Sequence, residues 1–154
     1  MILCTDCYIQ RDNKTLMLYR NKKKNDINQG KWIGVGGKFE PGESPEECLI
    51  REVKEEAGVT LTEFKLRGIL TFQIMDEGSE PLYIFIYTAS DFIGEIGECD
   101  EGTLEWVDTN KILELELWEG DRLFWDWILH DERMFSANFK YREDKLIEHQ
   151  VTFY

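Results

Sequence analysis

Histidine is nearly missing from this 154-residue chain: only His130 and His149 occur, far from each other. There are four cysteines, Cys4, Cys7, Cys48 and Cys99, and one CxxC pair with no second pair to follow it. A structural zinc site needs about four tightly spaced ligands, so the composition argues against one. Cys4 and Cys7 fall in a strand-like stretch, where residues three apart point to opposite faces. They read as reduced thiols, which fits a cytoplasmic setting. Long apolar runs are also lacking. The longest, such as Leu82 to Ala89, fall well short of the roughly 20 residues that a membrane-spanning helix needs. The N-terminus has no basic region followed by an apolar one, so it does not read as a secretory signal.

Positive charge is scarce as well. Eighteen Lys and Arg stand against 31 Asp and Glu, a formal net charge of -13. Such a chain is repelled by the phosphates of duplex nucleic acid. An anionic small substrate would need metal cations or a local basic cluster as a bridge. The core-forming residues are present in quantity: 42% of the chain is hydrophobic and 13% aromatic, which excludes a disordered or fibrous chain. No linker, repeat or low-complexity tract divides the sequence, and 154 residues fit one domain.

Strands are expected at Leu3–Ile9, Leu16–Tyr19, Phe64–Ile74, Leu82–Ala89 and Thr103–Val107, with a closing hairpin of Met134–Tyr141 and Leu146–Phe153. Asn21–Gly30 reads as a long loop in which Lys22, Lys23 and Lys24 are solvated or help to draw in a triphosphate, and Lys31–Phe39 as an irregular glycine-bearing segment. A late helix spans Asp121–His130. The acidic stretches Glu95–Glu101 and Leu113–Asp121 read mainly as solvated surface, apart from Glu101, Trp118 and Asp121. The clearest helix opens at Ser44, with Pro45 at its first position and Glu47 completing a capping box, and stops at Gly58. Helices and strands intermixed in this way indicate an α/β or α+β fold.

On that helix Ile50, Val53 and Ala57 fall together as a core face. Glu52, Glu55 and Glu56 stand at i, i+3 and i+4 on another. Three carboxylates so close repel one another unless a cation intervenes, and oxygen ligands suit Mg²⁺ or Mn²⁺. Arg51 lies four residues before Glu55, so its fork can orient that carboxylate, and Glu43 with it. Gly36 and Gly37 allow a tight turn and a close backbone approach to a ligand.

The run from Gly37 through Glu43 and Arg51-Glu52-Val53-Lys54-Glu55-Glu56-Ala57-Gly58-Val59 matches every fixed position of the Nudix box, G-x5-E-x7-R-E-U-x-E-E-x-G-U with U aliphatic. The chain therefore resembles the Nudix hydrolases. Gly30-Lys31-Trp32, Gly34 and Gly36-Gly37-Lys38, then Trp118 with Asp121, then Phe135–Phe139 and the closing hairpin, resemble the MutT-type enzymes that hydrolyse oxidised purine nucleoside triphosphates, the bacterial 8-oxo-dGTP diphosphatases above all. The resemblance implies a Nudix α/β/α sandwich with a mixed, curved sheet and the box helix on one side.

It also implies metal-dependent hydrolysis of a nucleoside triphosphate such as 8-oxo-dGTP to the monophosphate and pyrophosphate, which cleans the nucleotide pool and prevents mutation. By that resemblance Glu52, Glu55, Glu56, Glu101 and the Gly36 carbonyl hold the metal, and Glu55 or Glu56 takes the proton of the attacking water. Glu101 is a further acidic ligand or base, and Arg51 orients the glutamates. Arg20, Gly37 and Lys38 meet the phosphates, while Trp118, Asp121 and Ile33 face the base. Trp118 would stack on it, a contact worth on the order of 1–3 kcal/mol. Two positions depart from the relatives: Ile33 stands where an animal member has an Asn, and Gly120 where it has the first of two adjacent Asp. An apolar wall at Ile33 thus replaces a polar contact. The partner implied is a nucleoside triphosphate, not duplex nucleic acid or a membrane, and monomer and dimer both remain open. A broad dNTP or NTP pyrophosphatase is the second reading within the family. A non-catalytic nucleotide-binding module is disfavoured because every box glutamate is present.

Overall fold

The computed structural model describes residues Met1–Tyr154. Its eight strands are β1 (Ile2–Arg11), β2 (Lys14–Tyr19), β3 (Trp32–Ile33), β4 (Thr60–Ile74), β5 (Leu82–Ile93), β6 (Thr103–Asp108), β7 (Phe135–Arg142) and β8 (Lys145–Phe153). They join in one mixed sheet of order β3-β2-β1-β5-β4-β7-β8, with β6 on the other edge of β2. The β1–β5 and β4–β7 pairs are parallel and the others antiparallel. Register shifts along β4 and β5 bend the sheet, as bulges do. Helix α1 (Pro45–Ala57), helix α2 (Glu119–His130) and a 3₁₀ turn (Thr109–Glu114) complete the chain.

Alternation along the strands divides the core in two. On β1, Cys7 and Ile9 face α1 and pack with Leu49, Val53 and Ala57. Tyr8 between them faces the other way, toward Phe124 and Trp125 of α2. Phe135, Ala137, Phe139 and Tyr141 alternate in the same manner on β7 and join the α2 side. Each helix thus covers one face of the sheet, giving the expected layered α+β arrangement.

Helix α1 begins as the sequence predicts. Ser44 Oγ accepts from the Glu47 N–H at 3.1 Å, and Glu47 Oε2 accepts from the Ser44 N–H at 2.8 Å. Gly58 ends the helix in the left-handed region at φ 80°. Its buried face differs from expectation, however. Cys48, Leu49, Val53 and Ala57 are buried, whereas Ile50 stays 36% exposed. Val53 and Ala57 face the core as expected, but Leu49 takes the place of Ile50, because Leu49 and Val53 are the i, i+4 pair that packs with β1.

Other boundaries shift outward. Helix α2 starts two residues earlier, at Glu119. Trp32 and Ile33 form a short strand on β2 inside the segment expected to be irregular. Leu117 is buried rather than part of a solvated acidic surface. All four cysteines are free thiols, and burial pushes Cys4 up to about 12. No helix is long and apolar enough to cross a membrane.

Candidate active site

A cleft of about 810 Å³ runs between the Gly34–Lys38 segment, the 20–30 loop, the edge of α1 and the start of α2. One end is acidic. Glu52 and Glu56 reach it from α1 and Glu101 from the loop before β6. Glu56 Oε2 accepts the Gly36 N–H at 3.0 Å. Burial pushes the Glu56 carboxyl up, and the neighbouring Glu101 carboxyl pushes it further. Burial likewise raises Glu52. Burial also works to raise Glu101, but Lys23, the shared contact with Glu56, and Arg20 outweigh it and hold its carboxyl below the usual range.

Arg51 lies behind these carboxylates as a strut. Its guanidinium donates to Glu43 at 2.5 and 2.9 Å, to Glu52 at 2.6 Å, to Glu55 at 3.3 Å and to the Lys38 carbonyl at 3.0 Å. The bidentate grip of Arg51 holds Glu43 down at about 2. Both glycines of the segment are required by space. A Cβ on Gly36 would lie 2.0 Å from the Thr5 carbonyl oxygen, and one on Gly37 would lie 2.2 Å from a Glu52 oxygen. Neither has a positive φ, so close approach, and not the tight turn that was expected, explains them.

The basic residues of the cleft come from the 20–30 loop and Lys38. Arg20 donates to Asp26 at 2.7 Å and to Glu101 at 2.9 Å, and Lys23 pairs with Glu101 at 2.6 Å. Lys22 donates to the Cys99 carbonyl at 2.8 Å. The lysine run is therefore partly tied down over Glu101, not merely solvated. Among the residues expected at the metal, the cleft brings together Glu52, Glu56, Glu101 and Gly36. Glu55 does not line it: its side chain is 58% exposed and touches only Arg51. No three acidic, His or Cys side chains converge to bonding distance of a common point. Arg51 and the Gly36 N–H hold two of them apart. The remaining donors are all oxygen, and the Gly36 carbonyl accepts no hydrogen bond from the protein. Hard oxygen donors of this kind fit a divalent cation such as Mg²⁺.

The other end is aromatic and apolar, with a buried carboxyl, Asp121, and a half-buried one, Asp6. Ile33, Leu70, Phe72, Ile84 and Ile86 form its walls. Trp118 packs edge-on against Phe72 and Tyr141, at 5.1 Å to each ring, with Lys31 above its own ring at 4.8 Å. Its Nε1–H donates to Asn28 Oδ1 at 2.8 Å. Asp121, 7% exposed, lines the cleft and accepts no hydrogen bond from any protein donor. Burial drives its carboxyl well above the usual range, and the nearby Asp6 adds to this. Gly120 beside it has no room for a side chain: a Cβ would lie 2.3 Å from the Phe139 ring and 2.6 Å from the Tyr141 hydroxyl. Its N–H donates to that hydroxyl at 2.8 Å.

Asp6, Asn28 and Phe72 line the cleft without belonging to any sequence motif. Of these only Asp6 carries a sequence signal, as the lone charge within the expected strand Leu3–Ile9.

The NUDIX domain profile matches residues 3–128. This chain belongs to the Nudix family. Of the glutamates at the acidic end, Glu52 and Glu56 lie on the box helix, as the family pattern requires, and Glu101 joins them from outside it. Over 130 residues this Nudix chain is 34% identical to the oxidized purine nucleoside triphosphate hydrolase of Danio rerio, covering 84% of this chain and 82% of that protein. A MutT protein from Bacillus halodurans superposes with a TM-score of 0.86 at 31% identity, covering 98% of this chain and 97% of that one. The CTP pyrophosphohydrolase of Escherichia coli (strain K12) is 26% identical over 121 residues, 79% of this chain and 86% of that protein. The family places this Nudix chain among hydrolases of phosphoric anhydrides.

Proposed function

We propose that this Nudix hydrolase cleaves oxidised purine nucleoside triphosphates, 8-oxo-dGTP foremost, to the monophosphate and pyrophosphate, and so cleans the nucleotide pool. The observation that carries the reading is the cleft itself. Its acidic end suits a metal-bridged polyphosphate, and its aromatic end holds an unpartnered, nearly buried carboxyl, Asp121, suited to the N–H groups of a base. The kinship with the Danio rerio enzyme supports the same substrate class.

In this reading Glu52, Glu56, Glu101 and the Gly36 carbonyl hold Mg²⁺ or Mn²⁺, with Glu55 at the margin. When bound, such ions neutralise the polyphosphate and ease deprotonation of water. The chain's own residues do the rest. Arg51 fixes Glu52 and keeps its carboxylate toward the cleft. Glu56, anchored through one oxygen to the Gly36 N–H, takes the proton of the attacking water; Glu55, outside the cleft, is less well placed. Arg20 and Lys38 meet the phosphates. Water adds across one phosphoanhydride bond, and pyrophosphate and the nucleoside monophosphate leave. Trp118 and Ile33 enclose the base, and Asp121 accepts from it.

A broad dNTP or NTP pyrophosphatase is the second reading, favoured by the likeness to the E. coli CTP enzyme. The test is pyrophosphate release with Mg²⁺ from 8-oxo-dGTP, dGTP, dCTP, dATP and ADP-ribose at low concentration. A kcat/KM for 8-oxo-dGTP about tenfold above dGTP, roughly 1.4 kcal/mol of differential transition-state binding, is expected. Equal rates on all triphosphates, or activity on ADP-ribose alone, would reject the sanitising role.

A further inference from the structure

Asp6 is a half-buried carboxyl that the hydrolysis described above does not use. It sits in the middle of β1 and lines the base end of the cleft. Tyr8 Oη donates to its Oδ2 at 2.8 Å, and the Tyr8 ring is itself pinned edge-on by Trp125 at 4.7 Å. The other oxygen, Oδ1, lies beside Gly34, where a Cβ would come within 2.3 Å of it. Position 34 must therefore be glycine for this carboxyl to keep its place.

Across the cleft stands Asp121, with no protein donor on either oxygen. The third polar group is Asn28. An indole N–H can only donate, so its bond from Trp118 assigns Oδ1 to that contact and leaves Asn28 Nδ2 as a donor with no protein acceptor. All three line one cavity whose remaining wall at Ile33 offers nothing polar.

We infer that Asp6 and Asn28, together with Asp121, form the base-reading set, one donor and two acceptors, and that it selects a 6-oxo-2-amino purine. This rests on the cleft being the nucleotide site proposed above. A guanine-type edge carries one acceptor, the 6-oxygen, and two donors, N1–H and the 2-amino group. Adenine, cytosine and thymine edges each carry a single donor group. Only the guanine type matches one donor and two acceptors. Sites built to hydrogen-bond a ligand reject analogues lacking the matching group, because buried polar atoms are left unpaired.

The test is binding of dGMP, dIMP and dAMP to the full chain, followed by tryptophan fluorescence, and then kcat and KM on the triphosphates with Mg²⁺. Wild type is expected to bind dGMP at least tenfold tighter than dIMP, which lacks only the 2-amino group. Asp6→Asn keeps an oxygen for Tyr8 and turns N–H toward the base, so it should cut the dGMP over dAMP preference at least tenfold, through KM more than kcat. Asn28→Ala, a change on the loop that does not depend on the core, should reduce the same preference. Equal binding of dGMP and dIMP by wild type, or an unchanged preference in Asn28→Ala and in folded Asp6→Asn, overturns the inference. Binding needs no turnover. Base selection without pyrophosphate release would therefore reject the hydrolase reading and leave this one standing, and release without base selection would do the reverse.

Discussion

Asp121 has a cost that shows what it is for. A carboxyl that is 7% exposed, with no donor beside it, sits where ionisation is opposed by burial and by Asp6. Its folded pKa lies above the unfolded value of 3.8. The unfolded chain therefore releases this proton first, and the stability of the fold falls as pH rises above about 4. Asp121→Asn removes that loss. The nucleotide-free variant should melt above wild type at pH 8, with a smaller difference at pH 5. A difference that does not change with pH would show that Asp121 is not the source. The same variant should bind the base less well, a trade of stability for function.

Glu43 has the opposite sign. Arg51 lowers its pKa from 4.5 to about 2, so the pair's contribution is complete above pH 4.5 and disappears as pH falls toward 2. Urea midpoints of wild type and Glu43→Gln should converge across that window; parallel curves would mean the ion pair contributes nothing.

The Gly34–Lys38 segment and α1 work as a unit. The capping box fixes where α1 starts, and so the rotation of its residues. Arg51 then ties Glu43, Glu52 and the Lys38 carbonyl into one frame. Gly37 lets the segment lie directly against the Glu52 carboxylate. Gly37→Ala should push that carboxylate aside and lower kcat/KM by roughly 10–100-fold, the usual cost of disturbing what orients a metal ligand. Melting temperature should change little, since neither core loses a side chain. A large loss of stability with unaltered activity per folded molecule would place the role of Gly37 in folding instead. Ile50 belongs here too. The observed core face keeps Val53 and Ala57 and takes Leu49 in place of Ile50, and this follows from which residues β1 offers as partners.

At the scale of the whole molecule, negative charge also faces the place where the substrate must come. Glu52, Glu56 and Glu101 share one end of the cleft, with Arg20 and Lys23 partly neutralising Glu101. A divalent cation that binds the folded chain there stabilises it by mass action, about 2.7 kcal/mol at 100 times its dissociation constant. Mg²⁺ should therefore raise the melting temperature of wild type by several degrees beyond the effect of Na⁺ at equal ionic strength, and that excess should shrink in Glu56→Gln. An identical response in the variant would locate the metal elsewhere.

Much of this was legible in the residues themselves. The cap at Ser44, the stop at Gly58, the closing hairpin and the box glutamates are local patterns, set by hydrogen bonds and spacings within a few positions. Those patterns determined the family chemistry and the strand-and-helix order. Only tertiary structure decided which glutamates face the cleft: Glu55 and Glu56 are neighbours in sequence, yet one points to solvent and the other to Gly36. It also brought Asp6, Asn28 and Asp121, which come from a strand, a loop and a helix, around one cavity. The glycine at position 120 became intelligible only with Phe139 and Tyr141 in place. The reason is physical. Backbone pairing and capping act between residues close along the chain, whereas the walls of a cleft are made by residues far apart in sequence that are brought together when the two cores close on the sheet.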